Sequence, residues 1–380
     1  MSLKGGIAIV GIGEPAQIGT IPDKTPLQLM AEASKRAIED AGLTKGDIDT
    51  VYSQSGPAGP LAEYLGVMPV RGLDTTSVGG ASNPVHVIHA AQAIAAGRAE
   101  TVLIAHAGMN RSRRAAGGAP GGEPNAWEAP IGLIGPPVQY ALAARRHMHE
   151  YGTTSEQLAA LAVSTRKWAE MNPRAAMRDP ITVDDVLQSR MIADPLHLMD
   201  CCLVLDAAAA IVVTTAERAR DLKQPAVFLL GAGEGHTHNS IWQMPDMTKT
   251  AAKQSGDEAF AMAGLERKDV QVAQIYDAFT SEVVTIVEDL GFCKKGEGGP
   301  FMEHGRTGPG GEFPMNTQGG GLSFNHPGMF GIWTLVEIGR QLRHEYAGTP
   351  RQVNAELGLS HGNGGSLNHQ VTLLWGRDVQ

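Results

Sequence analysis

The sequence predicts a layered α/β fold built twice over, and three observations carry that reading. Short apolar runs alternate with amphipathic helices towards both ends of the chain. The string Ala41-Gly42-Leu43, followed by Asp47-Ile48, returns 222 residues later as Ala263-Gly264-Leu265, followed by Asp269-Val270, with the same internal spacing. Ser82-Asn83-Pro84 and Asn325-His326-Pro327 then open corresponding helices in the two halves. Two matches in the same order imply a duplicated unit with pseudo-twofold symmetry.

The elements follow in order. Ile7–Val10 is an apolar run closed by Gly11-Ile12-Gly13, a buried strand and its turn. Thr25 is a helix N-cap with Pro26 at the first helical position. Leu27, Met30, Ala31, Ser34, Ile38 and Ala41 share one helical face, and Gly42 ends the helix. Asp49–Ser53 is the next strand, Leu73–Ser77 runs into a glycine elbow, Pro84–Ala96 is a long helix and Thr101–Ala105 a further buried strand. Strands alternating with helices in this way build a parallel sheet covered on both faces. Residues 108–200 break the alternation with a Gly/Pro-rich stretch at 117–124 and helices near 137–151 and 155–170. This stretch reads as an insertion over the active face. The expected organisation is a first half at 1–220, carrying the insertion, and a second half at 221–380.

Composition removes several function classes. With 42% apolar and 19% charged residues the chain is a globular protein long enough for two core-sized units. A net charge of −9 argues against nucleic acid as a partner. Three cysteines, Cys201, Cys202 and Cys293, neither staple a fold nor stand at zinc-ligand spacing, so no metal is expected and a reducing, cytoplasmic setting is. His147 and His149 cannot share a helix face, and His236 and His238 lack ligand partners at metal spacing. Ala207–Val213, among the longest apolar stretches, is too short to span a membrane, and Met1–Gly6 carries no apolar signal core. The 47 glycines cluster at 117–122, 296–311, 319–321 and 362–365, the kind of backbone that packs closely against a ligand.

Six strings point to one family when taken in order. They are Tyr140–Arg146 with Glu150-Tyr151-Gly152, Asp206–Ala209, Tyr276-Asp277-Ala278-Phe279-Thr280, Asn316-Thr317-Gln318-Gly319-Gly320, Asn325-His326-Pro327 and His361-Gly362-Asn363-Gly364-Gly365. Across nearly its whole length the chain resembles the sterol-carrier-protein-type branch of the thiolase superfamily. That resemblance implies the thiolase fold: two five-stranded mixed sheets and buried helices in layers, plus a loop domain. It also implies a coenzyme A thioester substrate, no permanently bound cofactor, and a homodimer or homotetramer.

At one position the chain departs from the family. Counting back from Gly97 puts Gly80 where the family keeps its nucleophilic cysteine. Ser77 and Ser82 are nearby hydroxyls off the expected position, so chemistry through an acyl-enzyme is not expected. The resemblance makes His326 a holder of the thioester oxygen, Tyr276 the leading acid/base group and His361 a second one. The Gly80 N–H at a helix start is an oxyanion donor. Ser82, Asn316, Gly319, Gly320, Asn325, Gly364 and Gly365 are the candidate substrate-binding positions. Trp127, Trp242, Met244, Met329 and Phe330 are candidates for an acyl pocket or for core.

These residues suit retro-aldol cleavage of a β-hydroxyacyl-CoA, in which a thioester enolate is held by donors. Thiolase-like aldolases of steroid side-chain degradation work this way with a small OB-fold and zinc-ribbon partner, and the Tyr-Asp-x-Phe-Thr and His-Gly-Asn-Gly-Gly strings resemble theirs. Two readings stand beside it: a non-catalytic subunit that binds acyl-CoA or a partner protein, and an acyltransferase with an atypical site.

Overall fold

Strand β1 (Ile7–Gly13) lies at the centre of the computed structural model, which describes residues 3–379 apart from 55, 57, 113–126 and 134. The first half continues with α1 (Pro26–Asp40), β2 (Thr50–Ser53), α2 (Ala58–Leu65), β3 (Gly72–Asp74), α3 (Ser82–Ala95) and β4 (Thr101–Met109). Between β4 and β7 (Asp206–Thr215) come α4 (Pro136–Tyr151), α5 (Ser155–Glu170), α6 (Val183–Gln188) and a small hairpin, β5 (Met191–Ala193) with β6 (Leu196–His197). A short helix, α7 (Ala216–Ala219), leads to the second half: β8 (Val227–His236), α8 (Ala252–Ala263), β9 (Val272–Ile275), α9 (Thr280–Asp289), α10 (Gly298–Met302), α11 (Gly331–Leu342), β10 (Leu357–Gly364) and β11 (His369–Gly376).

The strand order is β3-β2-β4-β7-β1-β8-β11-β10-β9. The two expected sheets therefore meet edge to edge, joined where Ala8 pairs with Phe228 and Ile9 with Val227. Each half repeats one topology. The first strand runs antiparallel to the last, and the second runs parallel to its neighbours. The second half's fifth member is reduced to a single parallel bridge, Ala273 to Met315, where the first half has β3 beside β2. β9 stands 222 residues after β2, the spacing of the repeated strings.

α1 begins at Thr25, whose side chain accepts from Gln28 N while Gln28 reaches back to the Thr25 N–H. It buries Leu29, Met30, Ala33, Ala37 and Ile38 against β1, β4 and β7. Leu27, expected on that face, is only partly covered. Close seating depends on glycine: a Cβ on Gly11 or Gly13 would run into the backbone of Ala37 or Ala33. The second half uses the same device, with Gly231 and Gly233 of β8 under Ala259 and Ser255 of α8. α3 and α11 are buried between the halves and touch strands of both.

Candidate active site

Four chain segments converge at the inner ends of α3 and α11. Gly80 sits in the turn Gly79–Ala81 before α3, where Gly79 adopts a φ of +77°. Tyr276 follows β9, its backbone N–H bonded to the His361 carbonyl at 3.0 Å. His326 lies in the loop before α11, and Gly364 and Gly365 close the β10–β11 turn.

Tyr276 and His326 meet directly, with the phenol oxygen 3.0 Å from His326 Nε2 and the rings edge to face at 86°. The Gly328 N–H donates to His326 Nδ1 at 3.3 Å, which leaves the proton of the neutral ring on Nε2, donating to the tyrosine oxygen. Burial holds the His326 imidazole down to about 4, so the ring is neutral at ordinary pH. Burial pushes the Tyr276 phenol well above the tyrosine range, reinforced by the nearby Glu282 carboxyl. Phe330 packs against both rings.

Gly80 explains itself against this pair. A Cβ at position 80 would come within 2.2 Å of Tyr276 Cε2 and 2.4 Å of Cζ, and 2.5 Å from the Asn363 carbonyl oxygen. The tyrosine ring thus fills the volume that a side chain at position 80 would need. Sequence alone showed the missing cysteine but not its replacement by a ring from the other half.

The other expected site residues fall into three groups. Gly364 and Gly365 do reach the elbow: a Cβ on Gly79 would collide with Gly365 N, and one on Gly364 with the Val78 carbonyl. Asn325 is fully buried beside His326, with neither side-chain polar atom bonded to a protein group. Four more serve the scaffold. Ser82 Oγ accepts from Val78 N–H at 2.9 Å and donates to Gly79 O at 2.6 Å, closing the elbow. Asn316, at φ +53°, bonds both the N–H and the carbonyl of Ile275 at 2.8 Å and so fixes the end of β9 under Tyr276. Gly319 packs against Ala169, and Gly320 against the Asp277 carboxyl.

His361 is not brought to the Tyr276–His326 pair. Its Nδ1 meets Thr372 Oγ1 at 3.0 Å and its Nε2 meets Gln370 Oε1 at 2.8 Å, so both nitrogens are spent on β11. On β10, Gly362 and Gly364 face α3 and its elbow, so His361 faces the opposite side. Among the pocket candidates, Phe330 and Met244 are buried and Trp127 and Trp242 are exposed. The stretch 117–124 lies outside the described residues.

Several groups at the site were not among the site residues expected from the sequence. Asp277 accepts from Gly321 N–H at 2.7 Å through one oxygen while the other is unbonded, and burial pushes its carboxyl up to about 7. Glu282 is buried with one oxygen on the Ala278 N–H, and burial pushes it well up. Tyr140 from the insertion stacks on Phe279, centroids 4.5 Å apart. Cys202 also lies close by, but burial pushes its thiol far from thiolate formation, as it does for Cys201 and Cys293, each raised to about 12. Among the described residues no group of histidine, cysteine and carboxylate side chains is arranged to hold a metal.

Residues 233–377 match the family model described as thiolase C-terminal domain-like. The chain is 37% identical to a 17-hydroxy-3-oxo-4-pregnene-20-carboxyl-CoA lyase of Mycobacterium tuberculosis, over 94% of this chain and 95% of that protein. It is 33% identical to an acetyl-CoA acetyltransferase of Methanothermobacter thermautotrophicus, over 95% and 96%. The chain belongs to the thiolase superfamily.

Within that superfamily the solved Ltp2-ChsH2(DUF35) aldolase superposes with a TM-score of 0.90 at 34% identity, covering 98% of each chain. The thiolase fold is therefore present in full. At the first elbow, the Tyr276 ring lies where a side chain on residue 80 would stand. No described helix is long and apolar enough to cross a membrane.

Proposed function

We propose that this chain is an acyl-CoA carbon–carbon lyase that cleaves a β-hydroxyacyl-CoA by a retro-aldol reaction, with no acyl-enzyme. The observation that carries this reading is the Tyr276 ring in the volume a residue-80 side chain would occupy. It removes the covalent nucleophile and supplies a proton-transfer group in the same place.

The Tyr276 oxygen, as phenolate, takes the β-hydroxyl proton. The Cα–Cβ bond breaks, its electron pair forms the thioester enolate, and an aldehyde or ketone leaves. Donors at the elbow, the Gly80 N–H and the Gly364–Gly365 amides, hold the enolate oxygen. The phenol then returns its proton to Cα, giving the shortened acyl-CoA, so the cycle balances. His326 Nε2–H and the Phe330 N–H both donate towards the tyrosine oxygen and favour its charged form against the cost of burial. Because burial sets the phenol above its ordinary range, kcat/KM rises from neutral into alkaline pH.

The lyase named among the relatives and the aldolase among the solved structures support this reading. The second of these, named together with ChsH2(DUF35), supports a protein partner for this chain, which we take to be the small OB-fold and zinc-ribbon protein that the family resemblance implies. A cytoplasmic setting and a homodimer or homotetramer complete the proposal.

The test is incubation of the chain, alone and with such a partner, with β-hydroxyacyl-CoA esters, following carbonyl release and the shortened CoA ester. Tyr276→Phe is expected to lower kcat by about 10²–10⁴-fold, the scale of general acid–base catalysis. A covalent acyl adduct seen by intact mass, or full activity of the phenylalanine variant, overturns the mechanism.

A further inference from the structure

A buried chain of hydrogen bonds runs from His361 to the insertion, and its direction is fixed by backbone carbonyls. Gln370 Nε2 donates to the Leu367 carbonyl at 3.1 Å and to Asn363 Oδ1 at 2.6 Å. A carbonyl can only accept, so the amide nitrogen stands there and Gln370 Oε1 faces His361 Nε2, which carries the ring proton. Asn363 Oδ1 is then an acceptor, and its Nδ2 donates to the Tyr140 oxygen at 2.6 Å. Tyr140 in turn donates to the Gly365 carbonyl at 2.9 Å. His361, Gln370, Asn363 and Tyr140 are buried, while Gly365 at the end of the chain is exposed; the Glu282 carboxyl and the Tyr276 phenol are the titratable groups that face Tyr140.

The far end of this chain is the glycine turn against the elbow. The Asn363 carbonyl oxygen lies beside Gly80 and Tyr276, and Gly365 N lies beside Gly79. A single hydroxyl from the insertion therefore bonds the Asn363 side chain and the Gly365 main chain on either side of Gly364. We propose that Tyr140 is a positioning residue for the reaction, holding the Gly364–Gly365 amides in the orientation that binds the thioester oxygen. His361 is the fixed end of the chain that orients Asn363 towards it. This rests on the retro-aldol reading for its kinetic consequence and on the geometry alone for its effect on binding.

Two measurements on the full chain separate these. The first is the infrared carbonyl band of bound butyryl-CoA, labelled with carbon-13 at the thioester carbonyl and lacking a β-hydroxyl. The wild type is expected to shift the band to lower frequency, and Tyr140→Phe to return it towards the free value. The second is turnover of a β-hydroxyacyl-CoA, where Tyr140→Phe is expected to lower kcat by about 10²-fold, the effect of misplacing reacting groups by about an ångström, with KM changed far less. Gln370→Leu cuts the same chain one link further on and is expected to move both readouts in the same direction; it decides the matter if Tyr140→Phe does not fold. An unshifted band in the wild type, or a band unchanged by the variants, overturns the positioning role even if kcat falls, because Tyr140 then supports only the fold. A band that shifts and is reversed by Tyr140→Phe, in a wild type without turnover, upholds the positioning role and overturns the cleavage reading.

Discussion

The glycine at position 80 and the tyrosine at position 276 form one steric unit. Gly80→Cys drives a side chain against the edge of the Tyr276 ring. It is expected to destabilise the chain by about 1–3 kcal/mol, the usual cost of overpacking a core. Adding Tyr276→His should recover most of that loss, giving a coupling of about 0.5–3 kcal/mol in a double-mutant cycle read by denaturant unfolding. Strict additivity would show that the two positions do not compete for space. Asp277 offers a second measurement. Burial raises its carboxyl from an ordinary 3.8 to about 7 in the folded chain. The folded state therefore holds a proton that the unfolded chain has released, and stability from this group is lost as pH rises from about 4 through 7. Asp277→Asn keeps an acceptor for the Gly321 N–H, so its melting temperature should gain on the wild type at pH 8 and not at pH 4. A constant difference across that range would show that the carboxyl does not titrate there.

At the scale of the element, the sequence was legible wherever local pattern decides. The Thr25 cap, the glycine stops and the helices of the insertion stand where capping and periodicity put them. The elbows were legible because glycine and proline punctuate them. Distance across the fold was not: the string that opens at Tyr140 marks the family without placing that residue at the site, and nothing local marks Cys202 or Glu282. His361 was misread although a signal was present. Gly362 and Gly364 on one face of β10 place His361 on the other, by the two-residue period of a strand. The repeat also goes deeper than the matching strings, since each half seats its outer helix on a pair of strand glycines. Gly233→Ala sets a methyl against the Ser255 carbonyl, with little room for backbone to yield. A loss of about 1–3 kcal/mol in unfolding free energy is expected, and an unchanged denaturation midpoint would show that α8 can lift away freely.

Over the whole molecule, the halves are joined by more than the β1–β8 edge. Glu14, just past β1, is fully buried and bonds Arg340 of α11 at 2.6 Å, Arg174 beyond α5 at 2.9 Å and the Trp333 indole at 3.1 Å. Although burial works to raise its pKa, the two guanidinium groups hold the Glu14 carboxyl below its ordinary value. One carboxylate thus ties the first strand, the last helix and the segment after the insertion's long helices. Glu14→Ala leaves Arg340 without its buried partner and is expected to cost about 3–5 kcal/mol in chemical denaturation. A loss below about 1 kcal/mol would place the junction elsewhere.

The Tyr276 ring at Gly80 also constrains the order in which such a site can change. A chain with a side chain at position 80 takes this tyrosine only at the cost of overpacking, whereas a chain with glycine there can hold either a tyrosine or a smaller residue at 276. Conversion from a covalent to a non-covalent site therefore avoids the overpacked chain in one sequence of steps, losing the thiol first and gaining the ring second. Reversal must begin by giving up the ring, at a stage when no thiol is present to take over its chemistry. In either direction the exchange passes through a chain with neither group.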